Sequence, residues 1–456
     1  MYYLAVDIGA SGGRHILGTI ENGQITTQEI HRFKNGAVKR NGRYCWEVDR
    51  LFSEIVAGMK KCAELGKIPV SMAIDCFAVD FVLLDKNGEI VGDSVSYRDK
   101  RTNGMCASGV MDLDKLYHTT GKLPGDIDSL FQLISVKQNS DELERAERFL
   151  QLPEYFNYLL TGVDLNEYTN SESTSIINPS IRDFDKEILK DAGIPERLFK
   201  KPGLPMTEVG PLKPEIEAQV GFNCKVILPA AHDTVSAFTA VPVPEDSIFI
   251  SSGTWSMVGT YIEKPIISEK ARNYGFTNMY VYDDVTACVK GITGLWMIQS
   301  VKRELNDEFS YDDLCDMARA SEYEGVIDVN DKCFMAPDSM IEEVTRYLKE
   351  NTGKAPEKTG DVVKSIYHGL AKKYAQTIAE IEDLTGKTYS IFNIMGGGSK
   401  DPYLNELAAQ YSGKAVYAGP TEATAIGNLM AQMVAMGEFS SINDAKKAVP
   451  KSEPIK

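Results

Sequence analysis

One local pattern occurs twice in this chain, roughly half its length apart. Residues 5–19 read AVDIGASGGRHILGT and residues 249–260 read FISSGTWSMVGT. Each is an apolar strand, a polar turn holding a glycine, a second strand and a Gly-Thr pair. Recurrence at such a long spacing marks a duplicated domain, since solenoid repeats are far shorter. At 456 residues the chain is also too long for a single core. The pattern therefore predicts two α/β domains whose glycine turns face each other across a cleft.

The first turn is Gly9-Ala10-Ser11-Gly12-Gly13-Arg14. Three glycines between two strands leave backbone N–H groups open to an anion, and Asp7 beside them suits a hydrated Mg²⁺. Taken alone, the same residues also suit a plain hairpin whose aspartate satisfies turn amides. A short apolar run, 226–228, is ended by Pro229 and followed by His232, Asp233 and Thr234. A carboxylate at such a helix start can take a proton from a hydroxyl. The second turn, 251–256, contains Gly253 and Thr254. Near the end, the expected strand 389–395 runs into Gly396-Gly397-Gly398-Ser399, and Asp401-Pro402 opens a helix. A strand, three glycines and a helix start make a seat for a nucleotide's ribose and phosphates. The small residues of 419–427 read mostly as tight helix packing.

Between these motifs, helices are expected over 46–65, 141–149, 154–160, 294–305 and 361–384, and a buried strand over 68–77. Asn22-Gly23 and Asn87-Gly88 mark hairpin tips. Segments 166–185 and 322–356 read as irregular, and the Pro-containing 241–245 as the link between domain 1–243 and domain 244–456. The formal charge of −16 offers no basic footprint, which argues against a nucleic-acid or anionic-membrane partner. Eight scattered cysteines without a C-x-x-C pair suggest neither a disulfide framework nor a zinc site. With no apolar span or basic leader, a cytoplasmic protein is expected, with monomer and homodimer left open.

The P-loop pattern is absent: Gly386-Lys387-Thr388 has its tail, but Ile381 stands where the first glycine belongs. Protein-kinase catalytic motifs are absent too. Two matching glycine turns, a central aspartate and a late triple glycine instead look like the actin/hexokinase-type ATPase fold, two ribonuclease-H-like domains with a cleft between them. Within it the chain resembles the FGGY carbohydrate kinases. AVDIGASGGR, WEVDRLF, VDFVLLD, SYRDKRTNG, LPEYFNYLLTG, EYTN, AAHDTVSA, SSGTWS, GLWMIQ and IMGGGS carry the likeness from end to end.

The resemblance is strongest to members acting on the 6-deoxyketose L-rhamnulose. It implies ATP, as its Mg²⁺ complex, phosphorylating the C1 hydroxyl, with sugar held mainly by the first domain and nucleotide mainly by the second. It gives Asp233 the role of base and places His232 and Thr234 beside the sugar. Ala10, Ser11, Gly12, Gly13 and Arg14 match the first phosphate turn, Thr254 the second, Gln299 a nucleotide contact and Gly397 the adenosine loop. Such kinases usually read Trp-Gly where this chain has Phe77-Ala78, at a position touching the sugar, and asparagine where it has Gly291. Another ketose, such as fuculose or xylulose, is the alternative substrate. A non-catalytic sensor of sugar or nucleotide on the same fold would have no need of Asp233.

Overall fold

The computed structural model describes every residue except Glu245, Ala336 and Lys456. Of the expected link 241–245, Glu245 thus lies outside the described residues. Two six-stranded sheets dominate the molecule. The first runs in the order Glu208–Pro211, Lys225–Ile227, Pro69–Cys76, Tyr2–Gly9, Gly12–Glu21, Gln24–Lys34. The second runs Thr277–Tyr282, Val285–Thr293, Trp255–Ile262, Ser247–Ser252, Ile391–Met395, Ala415–Ala418.

Five strands of each sheet share one plan. A leading strand pairs antiparallel with its hairpin partner, which pairs antiparallel with a third. On its other side the leading strand pairs parallel with a fourth strand, and that with a fifth. Leading strands Tyr2–Gly9 and Ser247–Ser252 are buried nearly throughout, which is why they read as continuous apolar runs without alternation. The sixth strand differs: Glu208–Pro211 extends the first sheet beyond its fifth strand, whereas Thr277–Tyr282 extends the second beyond its third.

Helix Ala423–Ala435 is buried along almost its whole length, since it lies between the sheets against helix Asp233–Thr239 and strands Tyr2–Gly9 and Pro69–Cys76. A Cβ at Gly427 would overlap the Ser236 carbonyl, so this glycine serves close helix packing. Tyr3, Phe238, Phe249, Leu429 and Met430 form part of the apolar layer there, each worth about 1.5–3 kcal/mol when fully buried. Within that layer Asn428 Nδ2 donates to Asp75 Oδ2 (2.7 Å), and Gln432 bonds Ser71 Oγ (2.8 Å) and the Leu4 carbonyl (3.0 Å). Among the described residues no helix is long and apolar enough to cross a membrane.

Several local expectations need correction. The charged stretch 141–149 forms only a short helix, Glu142–Arg145, then the strand Arg148–Gln151, which pairs with Phe81–Leu84. Leu150 and Phe149 are drawn into apolar clusters by that pairing, which helical periodicity did not reveal. The segment read as irregular at 322–356 contains helix Met340–Thr352, capped by Ser339. Segment 166–185 holds helix Tyr168–Glu172, whose start is fixed by Glu167 accepting from the Thr169 and Asn170 N–H groups.

Candidate active site

Three strand ends of the first sheet converge on one place. Phe77 N–H donates to the Ile8 carbonyl (3.1 Å), and Cys76 N–H to the Ala231 carbonyl (2.9 Å). Cys76 and His232 form a parallel bridge, so the strand ending at Cys76 is zipped to the segment leading into Asp233. Asp233 opens helix Asp233–Thr239. Its Oδ1 accepts from Thr234 N–H (2.5 Å) and Thr234 Oγ1 (3.1 Å), which leaves Oδ2 without a hydrogen-bond partner among the described residues. His232 Nε2 lies 3.6 Å from Oδ1.

Asp233, His232 and Ala78 line a cavity of about 310 Å³ together with Phe77, Val79 and Tyr97. Burial pushes the Asp233 carboxyl up to about 6, with the two Thr234 bonds pulling it back. The His232 imidazole is pushed down to about 4 by burial and by Lys122, so it is neutral at pH 7. A carboxyl near 6 is ionised at neutral pH yet more basic than an ordinary aspartate, as a proton acceptor should be.

The cavity floor is held by a second aspartate. Asp80 accepts from Trp46 Nε1 (2.5 Å), Tyr97 N–H (2.9 Å) and Gln132 Nε2 (2.9 Å). Trp46 in turn packs on Phe77, ring centroids 4.5 Å apart, and fixes the residue next to Ala78. Val79 is left-handed at φ 72°, a conformation a β-branched residue adopts at a cost of about 1–3 kcal/mol. It is held there by Ser173 Oγ on its N–H (3.2 Å) and Ser129 Oγ on its carbonyl (2.5 Å).

Sequence reasoning missed much of the remaining wall. Lys122 and Asp128 pair at 2.6 Å, and Glu172 stands beyond the EYTN motif. Asn278 and Met279 reach the cavity from the second half of the chain, on strand Thr277–Tyr282. Loop 124–129 supplies Ile127 and Asp128.

The first glycine turn lies beside Asp7. Arg14 donates to Asp7 Oδ2 (2.6 Å) and to Glu422, so the carboxylate expected near Mg²⁺ already has a guanidinium partner. Burial raises the Asp7 carboxyl and Arg14 opposes the rise. Ala10 and Ser11 form the turn, and Asn35 fastens it through Ser11 O (3.1 Å) and Gly9 O (2.9 Å). Neither Gly12 nor Gly13 is left-handed. A Cβ at Gly13 would run into the Phe33 ring and one at Gly12 would press the Phe33 carbonyl at 3.0 Å. Packing against Phe33 thus favours glycine at both positions.

At the second turn Thr254 is exposed and donates to Gln299 Oε1 (3.2 Å), bringing together two residues singled out from sequence. Gly253 is open, with only the Trp255 carbonyl at 3.4 Å from a notional Cβ. The triple glycine divides its labour. Cβ atoms at Gly396 and Gly398 would collide with Ser252, whereas one at Gly397 would meet nothing within 4 Å. Gly397 is therefore an open shelf beside the Ser252–Thr254 turn. Asp401 caps the next helix through Leu404 N–H (2.9 Å), as expected. Gly291 pairs with Met257 within the sheet and is exposed.

Residues 2–240 match the N-terminal domain of the FGGY family of carbohydrate kinases, and residues 248–436 its C-terminal domain. The chain belongs to this family. A rhamnulokinase from Halalkalibacterium halodurans is 44% identical over 100% of this chain and 98% of its own length. One from Bacillus subtilis is 38% identical over 100% and 95%. Among solved structures, a xylulose kinase from Lactobacillus acidophilus aligns with TM-score 0.81 at 15% identity, covering 99% of this chain and 93% of that one. At that identity the likeness speaks for the fold alone. This FGGY kinase is an ATP-dependent sugar kinase using Mg²⁺. The open shelf at Gly397 and the unobstructed Gly253 fit a nucleotide, and Asp7 retains one oxygen that Arg14 does not use.

Proposed function

We propose that this kinase transfers the γ-phosphoryl group of ATP to the C1 hydroxyl of L-rhamnulose, giving L-rhamnulose 1-phosphate. The observation that carries this reading is Asp233, a carboxylate with a free oxygen and raised basicity in a cavity with an apolar wall. Full-length relatives named rhamnulokinase support the choice of sugar. Ala78, Val79, Ile127 and Met279 offer an apolar wall suited to a deoxyketose methyl group. ATP with Mg²⁺ supplies the phosphoryl group.

In this reading Thr234 holds Oδ1 of Asp233, and Oδ2 accepts the C1 hydroxyl proton as that oxygen bonds to phosphorus. Neutral His232 and Thr234 position the sugar. The two glycine turns, with Ala10 to Arg14 on one side and Thr254, Gln299 and Gly397 on the other, orient the phosphates, where positioning matters more than covalent help. Residues 1–243 hold mainly sugar and 244–456 mainly nucleotide.

The test is a panel of ketoses with ATP, coupled to ADP release, with the product located by phosphorus–proton NMR. Fastest turnover on L-rhamnulose and a C1 phosphate are expected. Turnover of fuculose, xylulose or a polyol while rhamnulose is ignored would overturn the substrate, and sugar-independent ATP binding without turnover would overturn catalysis.

A further inference from the structure

The cavity wall contains a carboxyl group that the phosphoryl-transfer reading leaves unused. Glu172 ends helix Tyr168–Glu172 and lines the cavity. Its Oε2 accepts the N–H of Tyr280 at 2.7 Å, a bond from the second sheet's extra strand. Its Oε1 has no partner among the described residues, and Glu172 has no cation within ion-pair distance there. Asp233 Oδ2 and Asp128 Oδ1 are likewise open among the described residues, whereas Lys122, Asn278 and Ser173 of this wall are occupied. Lys122 Nζ is shared among Asp128 (2.6 Å), Ser175 Oγ (3.2 Å) and the Leu123 carbonyl (3.4 Å). Asn278 spends both amide atoms on Gly121 and Ile266. Ser173 Oγ bonds Val79, Gln151 and Asn170.

We infer that Glu172 is a specificity-determining residue whose Oε1 bonds a hydroxyl of the bound sugar, with Tyr280 of the second sheet fixing its orientation. The inference deepens the proposed function and rests on its placing of the sugar in this cavity. A carboxyl half-sunk in the protein with only one N–H for company is costly, and a hydroxyl in the cavity would satisfy it. Burial, then neighbouring Glu167, push Glu172 up to about 8. At neutral pH it is therefore largely protonated and able to donate as well as accept. Strand Thr277–Tyr282 is fastened to the first half by more than this bond: Asn278 N–H donates to the Gly121 carbonyl (3.0 Å) and Leu123 N–H to Thr277 Oγ1 (3.3 Å). The orienting N–H thus comes from a well-anchored neighbour.

A hydroxyl-deletion cycle tests this, using whichever ketose or polyol the wild type phosphorylates fastest and its monodeoxy analogues. The identity of that sugar judges the preceding proposal, and the cycle judges Glu172. In Glu172→Leu the KM for sugar should rise about 10-fold with the KM for ATP unchanged. One particular deoxy analogue, penalised by the wild type, should lose most of its penalty in the variant. Glu172→Gln keeps an acceptor for Tyr280 and a hydrogen-bonding group for the sugar, so it should restore part of the discrimination. Equal deletion penalties at every position in wild type and Glu172→Leu would overturn the inference and leave Glu172 a fastening between the halves. Should the leucine variant fail to fold, Glu172→Gln decides alone: an altered penalty at one position supports the assignment, and unaltered penalties throughout sink it.

Discussion

The first glycine turn is charged and the second is neutral, although both close the same strand pair at the same place in equivalent sheets. Two residues before Gly9 stands Asp7, tied to Arg14 and through it to Glu422. Two residues before Gly253 stands Ser251, and the turn beyond it offers Thr254 with Gln299. The first turn is also near Asp75 and Asp233, whose charges both act on Asp7 or on each other. The sheet carrying the proposed proton acceptor gathers negative charge, which the Arg14 guanidinium offsets. A sheet that only seats an anion does better with neutral donors, which neither repel phosphate nor demand a counter-ion. The glycines follow the same division: Gly13 makes room for Phe33, whereas Gly253 makes room for nothing in the protein.

The largest effect should come from the charged side. Asp233→Asn is expected to lower kcat by about 10²–10⁴ while leaving ATP binding intact, the usual range for a general base. Wild-type kcat/KM for sugar should fall as the pH drops below about 6, where Asp233 takes up its proton. The stability sign runs the other way. A raised carboxyl binds its proton more tightly when folded, so ionised Asp233 costs stability above pH 6 and the cost vanishes as pH falls toward 4. Thermal melts should show the asparagine variant at least as stable as wild type at pH 7.5, with any advantage gone at pH 4. Next, Arg14→Gln leaves Asp7 uncompensated, and a loss of about 10–100-fold in kcat/KM is expected, as for removal of a charged hydrogen bond. Asp7→Asn added to it should not restore activity if Asp7 itself serves the metal; restoration would reduce Asp7 to a partner of Arg14.

These contrasts show what the sequence made legible. The duplicated strand pairs, the places of both turns and the helix start at Asp233 were readable because each depends on a local pattern of apolar run, glycine or proline, and polar residue. Gly397 was readable within its triplet, though only packing tells it apart from Gly396 and Gly398. The far wall of the cavity around Asp233 was not readable. Asn278 and Met279 lie on a strand that looks ordinary, and it reaches the cavity because the second sheet is extended on the side facing the first domain. Likewise Arg148–Gln151 becomes a strand through pairing with Phe81–Leu84, a contact between distant residues that no local periodicity encodes.

On the neutral side the effects should be smaller and fall on ATP. A Cβ at Gly253 meets no protein atom closer than 3.4 Å and needs no left-handed backbone, so the fold should tolerate Gly253→Val. A higher KM for ATP with an unchanged KM for sugar is expected, whereas Gly13→Val should lower the melting temperature first, through Phe33.

Thr254→Ala is the mildest probe and the sharpest for the comparison. Its hydroxyl donates to Gln299 at the exposed edge of the turn, with no charge on either partner. A neutral hydrogen bond of this kind contributes about 0.5–1.5 kcal/mol, which is about 2–12-fold in an equilibrium constant. The substitution should therefore raise the KM for ATP a few-fold, leave the KM for sugar alone and leave the pH profile set by Asp233. Gln299→Ala should do the same, and the double variant should be no worse than either single one if the pair acts as a unit. A loss as large as that of Arg14→Gln would mean the second turn holds charge through Thr254, and the division between a charged and a neutral turn would fail.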